Sequence, residues 1–244
     1  MAIPLHPVQN RLLATLQQED FAVISANLAP IDLERGRLLY DPGDPISNVY
    51  FPGEGVISLL TLMDGGEAIE CATIGREGAV GLTAAVGPRE SLTRAIVQVP
   101  GRAWRISAAH LHEAWKKSAK LQHLVDHHSQ ALYAQAVQSA ACNALHSVEA
   151  RFCRWLLGCH DRMDGDTVQL TQEFLADMLG VQRTTVTAVA RGLQANGTIR
   201  YRRGVVEVLD RAGLESATCE CYGAVRRTFS RLLRTGEAPV RAKA

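Results

Sequence analysis

The sequence predicts an α+β chain in three parts: an N-terminal antiparallel β-barrel of jelly-roll type, one long helix, and a compact domain of helices with a β-hairpin. Short β-prone runs alternate with turn residues between positions 31 and 106. The stretch 110–145 lacks proline and glycine and repeats apolar residues in steps of three and four. Two short amphipathic helices surround Gly180, and a basic hairpin follows them. The expected domains are residues 1–109, 110–145 and 146–244.

The composition is that of a globular protein. The chain has 244 residues, of which 47% are hydrophobic and 21% charged, enough for two domains with their own cores. No apolar run approaches the ~20 residues that cross a bilayer. The N-terminal residues lack the charged and apolar regions of a secretory signal. We therefore expect a cytoplasmic protein with no membrane partner.

The net charge of +1 conceals a difference between the two parts of the chain. Residues 146–244 contain 15 Lys and Arg against 11 Asp and Glu, whereas residues 1–145 contain 11 against 14. A basic C-terminal part beside an acidic N-terminal part is typical of a nucleic-acid-binding domain joined to a domain of another kind.

The cysteines form no CxxC pair. Cys219 and Cys221 are too close for an easy disulfide and lack the second pair that a zinc site of this spacing needs. We interpret the cysteines as small buried hydrophobic residues and predict no metal; a redox or metal role for a subset is the alternative. The six are Cys71, Cys142, Cys153, Cys159, Cys219 and Cys221.

One helix, or two short ones, is predicted over residues 7–28, and Pro30 prevents its continuation. The β-barrel follows. Turn signals then recur every eight to twelve residues, with strong turns at Asp41-Pro-Gly-Asp44 and Asp64-Gly-Gly66. This spacing favours a small antiparallel barrel or sandwich, a fold that often encloses a ligand.

The long helix is predicted to dimerise. Its residues at three- and four-residue steps resemble the a/d seam of a two-stranded coiled coil. The alternative is a helix packed only on its own barrel. Polar residues in the seam would let its geometry shift with a signal. The predicted seam residues are Leu121, Leu124, His128, Ala131, Leu132 and Gln135.

The stretch Leu170–Ile199 predicts a helix-turn-helix. Thr171 is a good N-cap, and Gly180 ends the first helix because it takes a positive φ without strain. The second helix, Gln182–Gln194, has an apolar stripe behind a short polar N-terminal face, which suits a helix in a DNA major groove. An ordinary helical hairpin is the alternative. The predicted DNA-contacting residues are Thr171, Gln182, Arg183, Thr184, Thr185, Thr187 and Arg191.

A basic β-hairpin follows, with its tip at Arg203-Gly204. Beside a recognition helix such a hairpin is a wing, and Arg200, Arg202 and Arg203 would contact phosphates without reading sequence. The alternative is a solvated hairpin that happens to be basic.

The remaining C-terminal elements are helical. Leu145-His146-Ser147 is the predicted hinge, with Ser147 capping a helix over 148–158. A single amphipathic helix is expected from Gly213 to Arg234, followed by a loose tail from Gly236.

A small β domain, a long helix, a hinge and a winged helix-turn-helix, in that order, resemble the Crp/Fnr family of bacterial transcription regulators. The resemblance covers nearly the whole chain. It is strongest over 170–199 and the SVEARFCRWLL helix and fair over DPGDPISNVYFPGEGVISLL. It implies a homodimer that binds palindromic double-stranded DNA and recruits or blocks RNA polymerase, and it implies no enzyme; the sequence also shows no catalytic motif.

The resemblance also assigns the recognition helix. The family presents an Arg near the start of this helix, typically to read guanine, and Arg183 matches it. Well-known members place Glu next and Arg four residues after it, where this chain has Thr184 and Ala188. We therefore expect a different half-site from that of the cyclic-AMP receptor.

The effector site departs further from the family. Members that bind cyclic nucleotide carry a Gly-Glu pair for the ribose and, further on, an Arg-Ser pair for the phosphate. Gly81 matches the glycine, but Leu82 replaces the Glu, and the Arg position falls near Ser91 with Arg94 offset. A buried phosphate would be poorly paired, so we expect no tight binding of cyclic AMP, no cofactor and an unknown effector.

Two further alternatives concern the sensor and the winged domain. No cysteine precedes Cys71, which argues against the N-terminal iron–sulfur cluster of some branches, whereas a haem held by Cys71, His123, His127 or His128 is the less favoured alternative. The winged domain would otherwise make protein contacts only, which a test for salt-dependent binding to a short palindrome distinguishes.

Overall fold

The computed structural model describes residues 9–87 and 89–233. The N-terminal domain begins with a short 3-10 turn, Leu13–Thr15, and helix α1, Gln18–Ser25. The part of the predicted N-terminal helix before residue 9 lies outside the described residues. The strands of this domain are β1 (Ala29–Leu33), β2 (Leu38–Tyr40), β3 (Asn48–Pro52), β4 (Val56–Leu62), β5 (Ala68–Ile74), β6 (Arg94–Val99) and β7 (Gly101–Ser107).

These strands form two antiparallel sheets, with orders β1-β7-β3 and β2-β6-β4-β5. Their inner faces share one core: Tyr50 and Ala103 of the first sheet pack in the same buried cluster as Ile57 and Val97 of the second. The predicted jelly-roll-like antiparallel fold is confirmed, as two facing sheets rather than a closed barrel.

The predicted long helix is two helices, α2 (Ala108–Lys117) and α3 (Ala119–Leu145). Ser118 between them has an extended backbone. Its hydroxyl oxygen accepts a hydrogen bond from the amide of Leu121 and donates to Asp20 on α1. A capping serine therefore interrupts a stretch that contains no helix breaker.

The predicted dimer seam packs on its own β domain. His128 Nε2 accepts the amide of Ala79 at 3.1 Å, and Gln135 Nε2 donates to Thr73 Oγ1 at 3.0 Å. The seam assigned to these residues was therefore wrong, because a three-four pattern marks an apolar helix face without saying which surface covers it. Five of the six are buried within the chain and the last is half-buried: Leu121, Leu124, His128, Ala131, Gln135 and Leu132.

The C-terminal domain has the predicted helix-turn-helix and wing. Its elements are α4 (Val148–His160), β8 (Thr167–Gln169), α5 (Gln172–Leu179), α6 (Arg183–Ala195), β9 (Ile199–Arg202), β10 (Val205–Val208), α7 (Arg211–Ala217) and α8 (Cys221–Leu233). The strands form one sheet in the order β8-β10-β9. The expected single last helix was wrong, because the chain is extended at Thr218 and turns before α8. Arg234 and the tail lie outside the described residues.

The C-terminal domain packs against the β domain through buried polar contacts. Trp155 Nε1 donates to both oxygens of Glu70, whose pKa is raised by burial. The guanidinium of Arg162 donates to Glu77 at 2.6–3.1 Å and to Thr73. We call the Arg162–Glu77–Thr73 group the interdomain strut. Within the described ranges, no helix has the length and apolar character needed to traverse a bilayer.

Candidate nucleic-acid interface

Local capping sets the angle between the two helices of the helix-turn-helix. The hydroxyl oxygen of Thr171 accepts the amide of Phe174 at 3.3 Å and begins α5. Gly180 ends α5 at φ +61°, a conformation that L side chains rarely adopt, and α6 starts three residues later. Thr171 is thus positioned as predicted, but as a cap whose hydroxyl already has a backbone partner.

Helix α6 separates a buried face from a polar one. Val186, Ala190 and Leu193 are buried in the core of the winged domain. Gln182 is the N-cap residue of the helix. The residues at its start and along its outer side are exposed: Gln182, Arg183, Thr184 and Arg191.

The two remaining threonines of α6 are half-buried. Thr187 Oγ1 lies 2.9 Å from both Gln172 Oε1 and the carbonyl oxygen of Arg183 and donates to them. Its hydroxyl therefore links α6 to α5 within the protein. Thr185 is only partly covered. Of the predicted threonines, Thr184 has the most open position for a base or phosphate.

The wing tip is a tight turn in which Arg203 and Gly204 both have positive φ, as two-residue hairpin turns require. Arg202 and Arg203 are exposed and form no ion pair with any residue that the structure describes. Arg200 differs, because its guanidinium is 2.6 Å from Glu207 on the opposite strand. Two of the three predicted wing arginines are therefore free to meet phosphate.

The wing is fixed to the recognition helix. The backbone amide of Tyr201 donates to Oε1 of Gln194, on α6, at 2.8 Å. The phenol hydroxyl of Tyr201 donates to the carbonyl oxygen of Leu170 at 2.9 Å. Burial raises the pKa of Tyr201 to about 12, opposed by the charges of Arg35 and Arg183. The guanidinium of Arg35, from the β domain, lies 6.0 Å from the centre of the Phe174 ring on α5, so the β domain adds a positive charge next to the helix-turn-helix.

None of the predicted effector residues offers a free cation. Leu82 is buried in the core and Ser91 Oγ donates to the carbonyl oxygen of Thr93. Arg94 is paired with Asp41 at 2.6 and 3.1 Å and holds the pKa of that carboxyl below its usual value. A Cβ on Gly81 would lie 2.9 Å from the carbonyl oxygen of Asn48, so this glycine permits a close backbone approach.

A cavity of about 420 Å³ lies between the β domain, α3 and the C-terminal domain. Sequence analysis missed it, because its walls come from distant parts of the chain. Its lining includes Glu70, Thr73, Gln135, Arg154, Arg162 and Cys221.

The fold also brings together four side chains that could hold a metal ion, a grouping that the sequence did not predict. The ligand atoms of Cys142, His146, Cys219 and Cys221 all lie within 4.8 Å of one another. The local signals were the pair Cys142 and His146, four residues apart at the end of a helix, and the pair Cys219 and Cys221, two residues apart. Cys153 lies in the hydrophobic core as predicted, and burial raises its pKa to about 12.

The side chains considered as haem ligands have other partners or positions in the fold. His128 is buried with its Nε2 bonded to Ala79, and burial lowers its pKa to about 4. Cys71 Sγ is 3.1 Å from Thr61 Oγ1, and His123 is exposed.

The fold and this surface define a DNA-binding transcription regulator with a sensor-type β domain. Residues 150–217 match the family model of the Crp-like helix-turn-helix domain, and residues 30–118 match that of the cyclic nucleotide-binding domain. The two matches together cover well over half of the chain. The protein belongs to the Crp/Fnr family of transcription regulators.

Solved structures have the same fold at low sequence identity. FixK2 from Bradyrhizobium japonicum is 15% identical, with a TM-score of 0.67 over 79% of this chain and 98% of its own. A Crp/Fnr-family regulator from Eubacterium rectale is 19% identical, with a TM-score of 0.64 over 86% and 98%. TTHB099 from Thermus thermophilus is 20% identical, with a TM-score of 0.63 over 77% and 95%. No curated protein matches the chain significantly.

Proposed function

We propose that this regulator binds a palindromic DNA site as a homodimer, with the start of one α6 helix in the major groove of each half-site. The observation that carries the proposal is the exposed polar beginning of α6 beside a wing whose Arg202 and Arg203 form no ion pair within residues 9–87 and 89–233. Arg183 has the position and the donors for a bidentate contact to guanine, whereas Arg202 and Arg203 suit phosphate.

The test begins with selection of bound fragments from genomic DNA, which supplies the preferred site. Arg183→Ala should then weaken binding to that site by about 1–3 kcal/mol and change binding to random DNA little, because only the specific complex uses a base contact. Lys117→Ala, which removes an exposed positive charge on α2 of the β domain, is the control and should leave binding to both DNAs unchanged. Equal losses on both DNAs would show that Arg183 contacts only the backbone, and no specific binding at all would favour a domain for protein contacts.

The proposed dimer uses the exposed face of α3, not the one predicted from the sequence. Tyr133 is 73% exposed and Val137 is 52% exposed. Gln130, Ala140 and Ala144 are exposed on the same helix at steps of three and four from these residues, and together they form a second seam with small residues at one end. An apolar stripe of this kind on a chain with a separate buried face needs a partner, and a second copy supplies the same stripe.

Charge on this face tests the dimer. Val137→Glu should convert the protein to a monomer in light scattering after size-exclusion chromatography, because two carboxylates would face each other across the two-fold axis. Lys120→Glu, exposed at the start of the same helix but on another face, should leave the dimer intact. A wild-type monomer, or an unchanged dimer in the Val137 variant, would contradict the proposal.

We also propose that the β domain does not bind cyclic AMP tightly, and that the protein regulates transcription in the cytoplasm through contact with RNA polymerase rather than by catalysis. Leu82 gives the ribose no acceptor, and Arg94 is already paired with Asp41. Isothermal titration should show no micromolar binding of cyclic AMP.

A further inference from the structure

Four side chains from two separate parts of the chain meet beside the hinge. Cys142 lies in the last turn of α3 and His146 is the residue that ends this helix, whereas Cys219 and Cys221 flank the turn between α7 and α8. The sulfurs of Cys142 and Cys219 are 3.5 Å apart. Cys221 Sγ is 3.6 Å from His146 Nδ1.

These separations fit a tetrahedral metal site. Zinc bound at ~2.3 Å to sulfur and ~2.0 Å to nitrogen sets two sulfurs about 3.8 Å apart, and sulfur and nitrogen about 3.5 Å apart. The observed 3.5 and 3.6 Å lie close to both values. In an iron–sulfur cluster the ligands are divided among two or more iron atoms, so that some of them lie far apart, whereas all four ligand atoms here are within 4.8 Å of one another, which favours a single ion.

Groups around the four residues have the arrangement of an outer ligand shell. His146 Nε2 is 3.2 Å from the carboxylate of Glu220, which would orient the ring with Nδ1 toward the sulfurs. Gln138 Nε2 donates to Cys221 Sγ at 3.0 Å.

The site is closed yet has an approach. The three cysteines are buried and form their own small cluster, which leaves no open coordination position for substrate. Cys221 also lines the interdomain cavity, through which an ion can enter.

We propose that Cys142, His146, Cys219 and Cys221 bind one Zn²⁺ ion per chain in a structural site. The ion would join the end of α3 to the turn before α8. Ser147 caps α4 directly after His146. The bound ion would therefore also fix the hinge between the β domain and the winged domain. This site is independent of the proposed DNA contacts, since none of its residues lies on α6 or the wing.

Metal content of the full-length protein tests the proposal. Protein purified under reducing conditions without chelator should contain one zinc per chain by elemental mass spectrometry. After removal of the metal, addition of Co²⁺ should produce an intense visible spectrum of tetrahedral type together with thiolate-to-cobalt charge transfer. Cys219→Ser with Cys221→Ser should abolish both signals, whereas Cys153→Ala, a buried cysteine outside the cluster, should keep them.

Other outcomes would overturn the proposal. Protein that takes up neither Zn²⁺ nor Co²⁺ would show that the thiols only pack against one another. A Cys142–Cys219 disulfide in freshly purified protein, or iron with labile sulfide, would assign the cluster to another chemistry. Full zinc content in the double serine variant would place the metal elsewhere. If that variant fails to fold, the Co²⁺ spectrum of the wild-type protein still decides.

Discussion

Breaking the interdomain strut should cost the protein a large part of its stability. Arg162 donates three hydrogen bonds to Glu77 and two to Thr73, and the two charged side chains are only 10% and 18% exposed. Arg162→Met preserves much of the volume but leaves the carboxylate without the cation that offsets its desolvation. The expected loss in free energy of unfolding is about 3–5 kcal/mol, the usual cost of removing one partner of a buried ion pair.

Urea unfolding followed by tryptophan fluorescence measures this loss, because Trp155 lies in the same interface. Asp164→Asn is the matched control, because it removes a second interdomain ion pair, between Asp164 and Arg76. The carboxylate of Asp164 is 72% exposed, so this variant should cost at most about 1 kcal/mol. The double variant Arg162→Met with Glu77→Gln should recover most of the loss, since no charge is left unpaired. A cost no larger than that of the control, or no recovery in the double variant, would refute the reasoning.

The strut also predicts an acid limit. Arg162 lowers the pKa of Glu77 despite burial, so the carboxylate is favoured in the folded state. Because the pKa of Glu77 is lower in the folded state, its ionised carboxylate stabilises the fold at pH values above the unfolded-state pKa of about 4.3. This stabilisation is lost as the pH falls toward the folded-state pKa.

Three further predictions concern single groups. Burial lowers the pKa of His128 from 6.5 to about 4, so the imidazole is protonated at a higher pH in the unfolded chain than in the folded one. The free energy of unfolding should therefore fall by about 3 kcal/mol as the pH decreases from 6.5 to about 4. His128→Gln should remove this pH dependence in urea titrations at several pH values. Trp155→Phe should cost about 1–3 kcal/mol in urea unfolding followed by circular dichroism, since Glu70 loses a buried donor, and an unchanged midpoint would contradict it. Arg202→Ala should reduce the salt dependence of DNA binding by roughly 0.9 in the log–log slope on any DNA, whereas Arg200→Ala, whose charge is paired with Glu207, should change it less.

Local features of the sequence predicted the helix-turn-helix well. The N-cap at Thr171, the left-handed glycine at Gly180 and the turn at Arg203-Gly204 each fix the backbone through contacts within a few residues. The jelly-roll-like sheets followed from turn spacing for the same reason. Capping by Ser147 was also predicted, with the helix extending two residues further than expected.

Long-range packing decided what the sequence pattern left open. The apolar repeat on α3 was visible, but two faces of this helix carry such repeats, and only the folded chain shows that the one with His128 and Gln135 is covered by its own β domain. The exposed stripe through Tyr133 and Val137 was overlooked because side-chain type alone does not report burial.

The sequence by itself determined the local backbone and the order of the domains, because caps, turns and periodicity act between near neighbours in the chain. The tertiary structure alone decided which faces remain exposed, how Arg162 meets Glu77, and that Cys142 lies beside Cys219, 77 residues away. These contacts depend on how whole helices and strands pack against one another. The free energy of that packing comes from surfaces whose residues are far apart in the sequence, so local sequence patterns do not report it.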